Sequence, residues 1–94
     1  MKAIEREKAL ALSRCRMVRG SWDQRFVKGI AWTARFEPTK VLTWRQKYHL
    51  DEVLYRYRVQ LASQDLDFEV PTNAPVESDY EPVKRPPKQQ RLEL

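Results

Sequence analysis

Apolar residues in the N-terminal part of the chain recur at steps of three and four, the spacing of helices with one apolar face. Residues 2–17 combine such positions with strong helix formers and contain no Gly or Pro, so we predict a first helix there. Gly20 ends this helical pattern. The apolar positions of the segment are Ile4, Leu10, Leu12, Cys15 and Met17.

Ser21, three residues before Gln24, forms a capping-box pattern that starts a second helix. Its hydroxyl is expected to accept a hydrogen bond from the backbone amide of Gln24. We predict this helix over 22–36, because the residue before Pro38 avoids the helical conformation. Gly29 either weakens the helix or permits another helix to approach closely. Two apolar faces fit the spacing: Trp22, Phe26, Ile30 and Ala34, or Val27 and Ile30.

Thr43 and Gln46 form a second capping box, which predicts a third helix over 44–62. Glu52 stands four residues before Arg56, the order that favours an ion pair along a helix. Three amphipathic helices with short connections predict an all-α fold, a small three-helix bundle. The inward face of the third helix comprises Gln46, Leu50, Val53, Leu54, Tyr57 and Leu61.

The remaining residues form an extended, Pro-rich tail that is expected to be largely disordered. Five of the six prolines lie there. Apolar and acidic residues alternate over 65–70, so residues 65–71 are expected to lie extended against the bundle or a partner. Trp32 falls off the main face of the second helix and offers such a segment something to cover. Beyond Pro71 we expect disorder in isolation.

Length and charge divide the chain into two parts. Its 94 residues hold at most one small domain. Residues 1–62 carry 14 Lys and Arg against 6 Asp and Glu, a net charge of +8, and form a basic helical module. Residues 63–94 carry 4 against 7, a net charge of −3, and form an acidic, Pro-rich tail that ends in a peptide motif. So small a core makes a protein partner or self-association plausible for stability.

The composition also excludes several classes of protein. The chain has no run of 18 apolar residues, which argues against a membrane span. Its first seventeen residues contain Glu5 and Glu7 and no continuous apolar stretch, so we expect no signal peptide. The single cysteine, Cys15, forms no internal disulfide and fits a reducing compartment, so we expect a cytoplasmic protein.

The residues give little support for catalysis. His49 is the only histidine, and with Cys15 alone it supplies no metal cluster, so no metal or other cofactor is expected. A lone cysteine on an apolar helix face is usually a packed small side chain rather than a nucleophile. With two glycines the chain has no Gly-rich phosphate loop. We therefore expect no enzymatic activity.

The basic module is interleaved with aromatic residues, a combination that favours nucleic-acid binding. The candidate contacts are Arg45, Lys47, Arg56 and Arg58. Two other interpretations fit the same charges: a solvated bundle surface, or a surface that pairs with the acidic tail. A DNA-binding regulator is a weaker interpretation, because it needs a defined dimer and the third helix is too long for a standard helix-turn-helix.

The last six residues, Gln89-Gln90-Arg91-Leu92-Glu93-Leu94, follow a Pro-rich stretch. They resemble the peptide motif by which bacterial replication and repair proteins bind the sliding clamp. Gln89 matches its first place, Leu92 its fourth and Leu94 its sixth, whereas Gln90 stands where leucine is frequent. The resemblance implies that Leu92 and Leu94 fill an apolar pocket of the clamp while Gln89 forms hydrogen bonds at its rim.

The middle of the chain is similar to small helical proteins of phages and other mobile elements. The likeness rests on residues 20–27, on Leu42-Thr43 with Gln46, and on Leu54, Arg56-Tyr57-Arg58 and Gln60. It implies only an accessory protein that acts by binding. The leading hypothesis is a non-enzymatic accessory protein of DNA replication or repair that binds the sliding clamp. The alternative is an interaction protein of a mobile element, such as a host-defence inhibitor or a helical subunit of a nucleoprotein complex.

Overall fold

The structure is a computed structural model that describes residues 1–82, and this part of the chain is all-α with no strand. Its helices are α1 (Ala3–Ser13), α2 (Trp22–Phe36), α3 (Trp44–Arg56) and the short α4 (Arg58–Leu61), followed by a 3₁₀ turn at Glu77–Asp79. The predicted all-α bundle is therefore confirmed for these residues.

The core lies where α1 packs against α2 and α3. Leucines from α1, α3 and α4 and small side chains from α1 and α2 fill it, so the helices approach each other closely. On α2 the second of the two candidate faces is the buried one, because Val27 and Ile30 point inward while Trp22 stays 45% exposed. The buried apolar residues are Ala9, Ala11, Leu12, Val27, Ile30, Ala31, Ala34, Leu42, Leu50, Val53, Leu54 and Leu61.

Helix α1 is shorter than the predicted 2–17, since it ends at Ser13. Two glutamines from the C-terminal side of α3 explain this end. The Gln64 side chain donates to the carbonyl oxygen of Ala11 at 3.2 Å. The Gln60 side chain accepts from the backbone N–H of Arg16 at 2.7 Å and donates to its carbonyl at 2.8 Å. These bonds satisfy backbone groups that would otherwise need another turn of helix.

Both predicted caps are confirmed. Ser21 Oγ accepts from the Gln24 amide at 3.2 Å, and Thr43 Oγ1 accepts from the Gln46 amide at the same distance. The Gln46 side-chain oxygen in turn accepts a hydrogen bond from the Thr43 N–H, which completes that capping box.

The predicted helix 44–62 is interrupted at one residue, Tyr57, which separates α3 from α4. Its φ of −104° and ψ of 21° lie outside the helical range. The helical hydrogen bonds continue across it, from Tyr57 N–H to Val53 and from Leu61 N–H to Tyr57. Leu61 is fully buried, so α4 completes the inward face expected for the third helix.

Residues 66–70 form a strap on the helical module. Three apolar side chains of this segment are partly buried against the core: Leu66, Phe68 and Val70. The acids that alternate with them, Asp65, Asp67 and Glu69, are exposed. The period-two pattern therefore correctly predicted one apolar face against the core, but the segment is not fully extended, because the backbone bends at Asp67 and Phe68. Trp32 remains 52% exposed.

The structure differs from the expectation of disorder at residues 77–82. After the 3₁₀ turn, the Tyr80 hydroxyl donates to Asp51 Oδ2 at 2.6 Å, and its ring meets the Tyr48 ring edge-on with centroids 5.6 Å apart. Asp51 also accepts from Lys8 at 2.9 Å, so this anchor joins the tail to α3 and α1. A tyrosine that finds both an aromatic neighbour and a hydrogen-bond acceptor offsets the entropy of ordering a Pro-rich segment.

Candidate nucleic-acid interface

Two of the four predicted nucleic-acid contacts, Arg45 and Arg58, are exposed and rest on aromatic rings. The guanidinium carbon of Arg45 lies 4.9 Å from the centre of the Trp44 ring, and that of Arg58 lies 4.1 Å from the centre of the Tyr55 ring. Arg58 also donates to the Tyr55 carbonyl oxygen at 2.8 Å. An arginine held over a ring keeps donors free at its edge, which suits contacts to phosphate.

The other two predicted contacts have acidic partners within the module. Lys47 Nζ lies 4.0 Å from the carboxylate of Glu5, at the limit of an ion pair. The Arg56 guanidinium donates a hydrogen bond to the carboxylate of Asp23. Its Nη2 also lies 3.7 Å from Glu52 Oε1, and this second contact is the ion pair expected from the four-residue spacing. The hydrogen bond to Asp23 raises the pKa of Arg56. Arg56 therefore has a structural role that is separate from any contact with nucleic acid.

Asp23 is a buried acid that connects α2 to the residues at the end of α3. It is 9% exposed, and it accepts hydrogen bonds from Arg56 and from the Tyr57 hydroxyl, the latter at 3.0 Å. Burial, together with the hydrogen bond to Asp23, raises the pKa of Tyr57. Sequence pattern alone does not indicate that Asp23 is buried, since it occupies the first turn of α2, where an exposed acid is common.

The acidic tail does not neutralise the basic surface within residues 1–82. Residues 63–82 contain six Asp and Glu and no Lys or Arg, yet none of these acids forms an ion pair in the described part of the chain. Among residues 1–82 the module's cations therefore pair only with acids of the module, which argues against the interpretation that the basic surface pairs with the acidic tail in this region.

Cys15 and His49 lie in different surroundings. Cys15 is partly buried, and burial raises its pKa, which lowers the fraction of reactive thiolate at neutral pH. His49 Nδ1 lies 3.2 Å from Glu52, and the ring contacts Trp22, Phe26 and Tyr48. Within residues 1–82 no three His, Cys, Asp or Glu side chains are grouped as a metal site would require.

Helix α2 carries an aromatic pair that the prediction of nucleic-acid contacts missed. Trp32 and Phe36 are 52% and 66% exposed, and their ring centres lie 5.4 Å apart. Lys28 and Arg35 flank them and are exposed. The four-residue steps from 28 to 32 to 36 are visible in the sequence, but only the buried face of α2 establishes that these residues point outward.

The predicted clamp-binding residues Gln89, Leu92 and Leu94 lie outside the described residues. Within residues 1–82, Tyr80 is the last residue with a side-chain hydrogen bond to the helices, and burial and its hydrogen bond to Asp51 raise its pKa. The sequence pattern predicts disorder around Tyr80 and misses this anchor; an isolated aromatic residue in an acidic, Pro-rich segment is the signal that could have indicated it.

Comparisons with known proteins do not assign the chain to a family. No protein-family model, curated protein or solved structure matches it. None of the helices in residues 1–82 has the length and apolar character needed to cross a membrane.

Proposed function

We propose that this chain is a non-enzymatic accessory protein of DNA replication or repair that acts in the cytoplasm. Its terminal peptide binds the bacterial sliding clamp through Gln89, Leu92 and Leu94, and its basic helical module contacts nucleic acid. The observation that carries the first part is the placement of these three residues at the first, fourth and sixth positions of one hexapeptide. Extended peptides bind in this way through a few buried anchors and backbone hydrogen bonds.

The Tyr80 anchor supports a tethered arrangement. It holds the chain on α3 nine residues before Gln89, and nine residues of extended chain span about 30 Å at most. A peptide tied to a folded module at that distance has a high effective concentration for a clamp that lies next to the same nucleic acid. Two weak contacts on one assembly then reinforce each other.

Calorimetric titration of the full chain into purified sliding clamp tests the first part. We expect a dissociation constant on the order of micromolar, because a short peptide loses conformational freedom on binding. Replacing Leu92 and Leu94 together by Ala should abolish the heat, and Gln89→Ala should weaken binding. Gln90→Ala is the matched control and should change little, whereas Gln90→Leu supplies the frequent second-place leucine and should bind more tightly.

The second part is supported by the geometry of Arg45 and Arg58, which are exposed and held on aromatic rings. Replacing both by Ala should weaken binding to nucleic acid and reduce the slope of log affinity against log salt by about 0.7–0.9 for each lost phosphate contact. Arg56→Ala should be interpreted only with its melting temperature, because it removes a partner of buried Asp23.

An absence of heat with clamp, for the full chain and for a peptide of residues 84–94, would contradict the clamp proposal. The interaction protein of a mobile element would then be the better hypothesis, since it does not need the terminal motif. Binding of the module to nucleic acid is measured separately and would not be affected by that result.

A further inference from the structure

The outer surface of α2 carries large aromatic side chains that do not contribute to the core of the module. Trp32 and Phe36 are more than half exposed although each is a large aromatic side chain. Exposed aromatic groups of this size on a small module usually belong to a binding surface. Their position is fixed, because the opposite face of α2, with Val27, Ile30 and Ala34, is buried in the core.

The charges around this aromatic pair are positive. Lys28 is four residues before Trp32, and Arg35 stands seven residues after Lys28, so both flank the rings along the helix. Among residues 1–82 neither of these cations has a carboxylate within ion-pair distance. The acids within α2 and at its C-terminal end are Asp23, which is buried against Arg56, and the capping residue Glu37.

A groove of about 310 Å³ adjoins Trp32 on the side that faces the end of α1. Its lining is mixed: it combines apolar side chains with the polar Ser13 and Gln24 and with the cations Lys28 and Arg35. The apolar members besides Trp32 are Leu12, Cys15, Met17, Val27 and Ala31. This volume is at the lower end of the range of small-ligand sites, roughly 300–1,000 Å³. A flat group with an apolar face and a neighbouring negative charge fits such a groove.

We propose that the outer surface of α2, formed by Lys28, Trp32, Arg35 and Phe36, binds single-stranded nucleic acid by stacking its unpaired bases on the two aromatic rings. Unpaired bases supply the planar apolar faces, and the phosphates between them supply the charge for Lys28 and Arg35. Duplex DNA offers the phosphates but keeps its bases stacked inside, so the aromatic pair selects single strands. This inference rests on the nucleic-acid part of the proposed function and is independent of the clamp motif.

The test is a titration of the full chain with a fluorescently labelled oligothymidine, with tryptophan fluorescence recorded in parallel. We expect binding at low salt that quenches tryptophan fluorescence. Trp32→Ala should remove most of the quenching and weaken binding roughly 5- to 150-fold, the range for loss of one stacked base. Lys28→Ala and Arg35→Ala should each lower the slope of log affinity against log salt by about 0.7, the value for a single strand.

Trp22→Ala is the matched control, because Trp22 is on the same helix and is 45% exposed but stacks on Phe26 on another face. With melting temperatures checked for both variants, the control should keep the affinity for oligothymidine. A duplex of the same length should compete poorly.

The inference is overturned if Trp32→Ala binds oligothymidine as the unmodified chain does, or if the chain binds none at low salt. If Arg45→Ala with Arg58→Ala abolishes binding while Trp32→Ala does not, the nucleic-acid part of the proposed function stands and this site is wrong. Binding of an acidic peptide or of vesicles rich in phosphatidylserine, lost in Trp32→Ala without any binding of oligothymidine, would assign the surface to a different partner.

Discussion

Asp23 is a buried acid that links two helices. It lies in the first turn of α2, is buried, and accepts hydrogen bonds from Arg56 at the end of α3 and from Tyr57 next to it. A buried carboxylate needs such partners, because burying a charge without them costs several kcal/mol. The three residues therefore fix the contact between the start of α2 and the end of α3.

Replacing Asp23 by Ala should lower the free energy of unfolding by about 1–3 kcal/mol, since it removes two hydrogen bonds to a charged group. Asp23→Asn keeps an acceptor for Tyr57 and should cost less. Chemical denaturation measures the difference, and Asp67→Ala, at an exposed acid of the strap, is the control. An unchanged unfolding midpoint for Asp23→Ala would show that this contact contributes nothing to stability.

The two glycines have different roles, and opposite effects are expected when each is changed to Ala. Gly20 has a φ of +77°, a conformation that strains other residues, so Gly20→Ala should destabilise the protein by about 1 kcal/mol. Gly29 lies within α2, and nothing lies within 4 Å of a Cβ added there. It therefore does not serve close helix approach, and Gly29→Ala should stabilise by about 0.5–1 kcal/mol. Thermal unfolding of both variants checks the signs, and a loss of stability in Gly29→Ala would contradict this interpretation.

Among the elements, the helix ends divide into those set locally and those set by distant residues. Ser21 and Thr43 start α2 and α3 through bonds to residues three positions along the chain. The end of α1 instead depends on Gln64, more than fifty residues away. The strap is a further element whose pattern is local, because the alternation of its side chains determines which of them can pack.

Phe68→Ala should lower the free energy of unfolding by about 1–2 kcal/mol, because it removes a large side chain that is partly buried against the core. Glu69→Ala is the matched control, because the Glu69 side chain is next to Phe68 in the strap but is exposed and should contribute little to stability. Urea denaturation distinguishes the two. Equal stability of both variants would mean that the strap does not pack on the helices in solution.

For the whole molecule, the contacts of residues 66–82 extend the folded structure beyond the helical module. The strap covers part of the core, and Tyr80 binds α3 and, through Asp51, Lys8 of α1. The helices and the first half of the tail thus share contacts, although composition places them in two regions of opposite charge.

The Tyr80 anchor should depend on pH with a definite sign. Its pKa is raised, so the folded chain favours the neutral phenol, and the anchor is fully formed below the ordinary tyrosine pKa near 10. As the pH rises above that value, ionisation of the Tyr80 hydroxyl removes the proton that it donates to Asp51. Tyr80 is then released from α3. In a titration that follows tyrosine ionisation by absorbance, Tyr80→Phe should remove one phenol from the group that ionises at the highest pH.

At neutral pH the same variant keeps the ring on Tyr48 but loses the bond to Asp51. A glutamate-specific protease should then cleave faster after Glu77, while cleavage after Glu69 in the strap should stay as in the unmodified chain. If the variant and the unmodified chain are cleaved after Glu77 at the same rate, the anchor is contradicted.

Features that depend on near neighbours along the chain could be predicted from the amino-acid pattern alone. The two caps, the bounds of α2 and the alternation in the strap follow from spacings of two to four residues, and each is confirmed. The predicted inward face of the third helix is confirmed except at Gln46, whose side chain accepts from the Thr43 N–H instead of packing in the core. The clamp motif and its residues Gln89, Leu92 and Leu94 come from the sequence as well and remain a prediction, because they lie outside the described residues.

The distant partners of polar and aromatic side chains depend on how the helices pack together. Asp23 and Arg56, Gln64 and Ala11, and Tyr80 and Asp51 are 29 to 53 residues apart in sequence, and spacing alone does not pair them. The same packing turns Val27 and Ile30 inward and leaves Trp32 and Phe36 on the outer surface of α2. Burial is a property of the assembled helices, because a helix alone exposes every face to water.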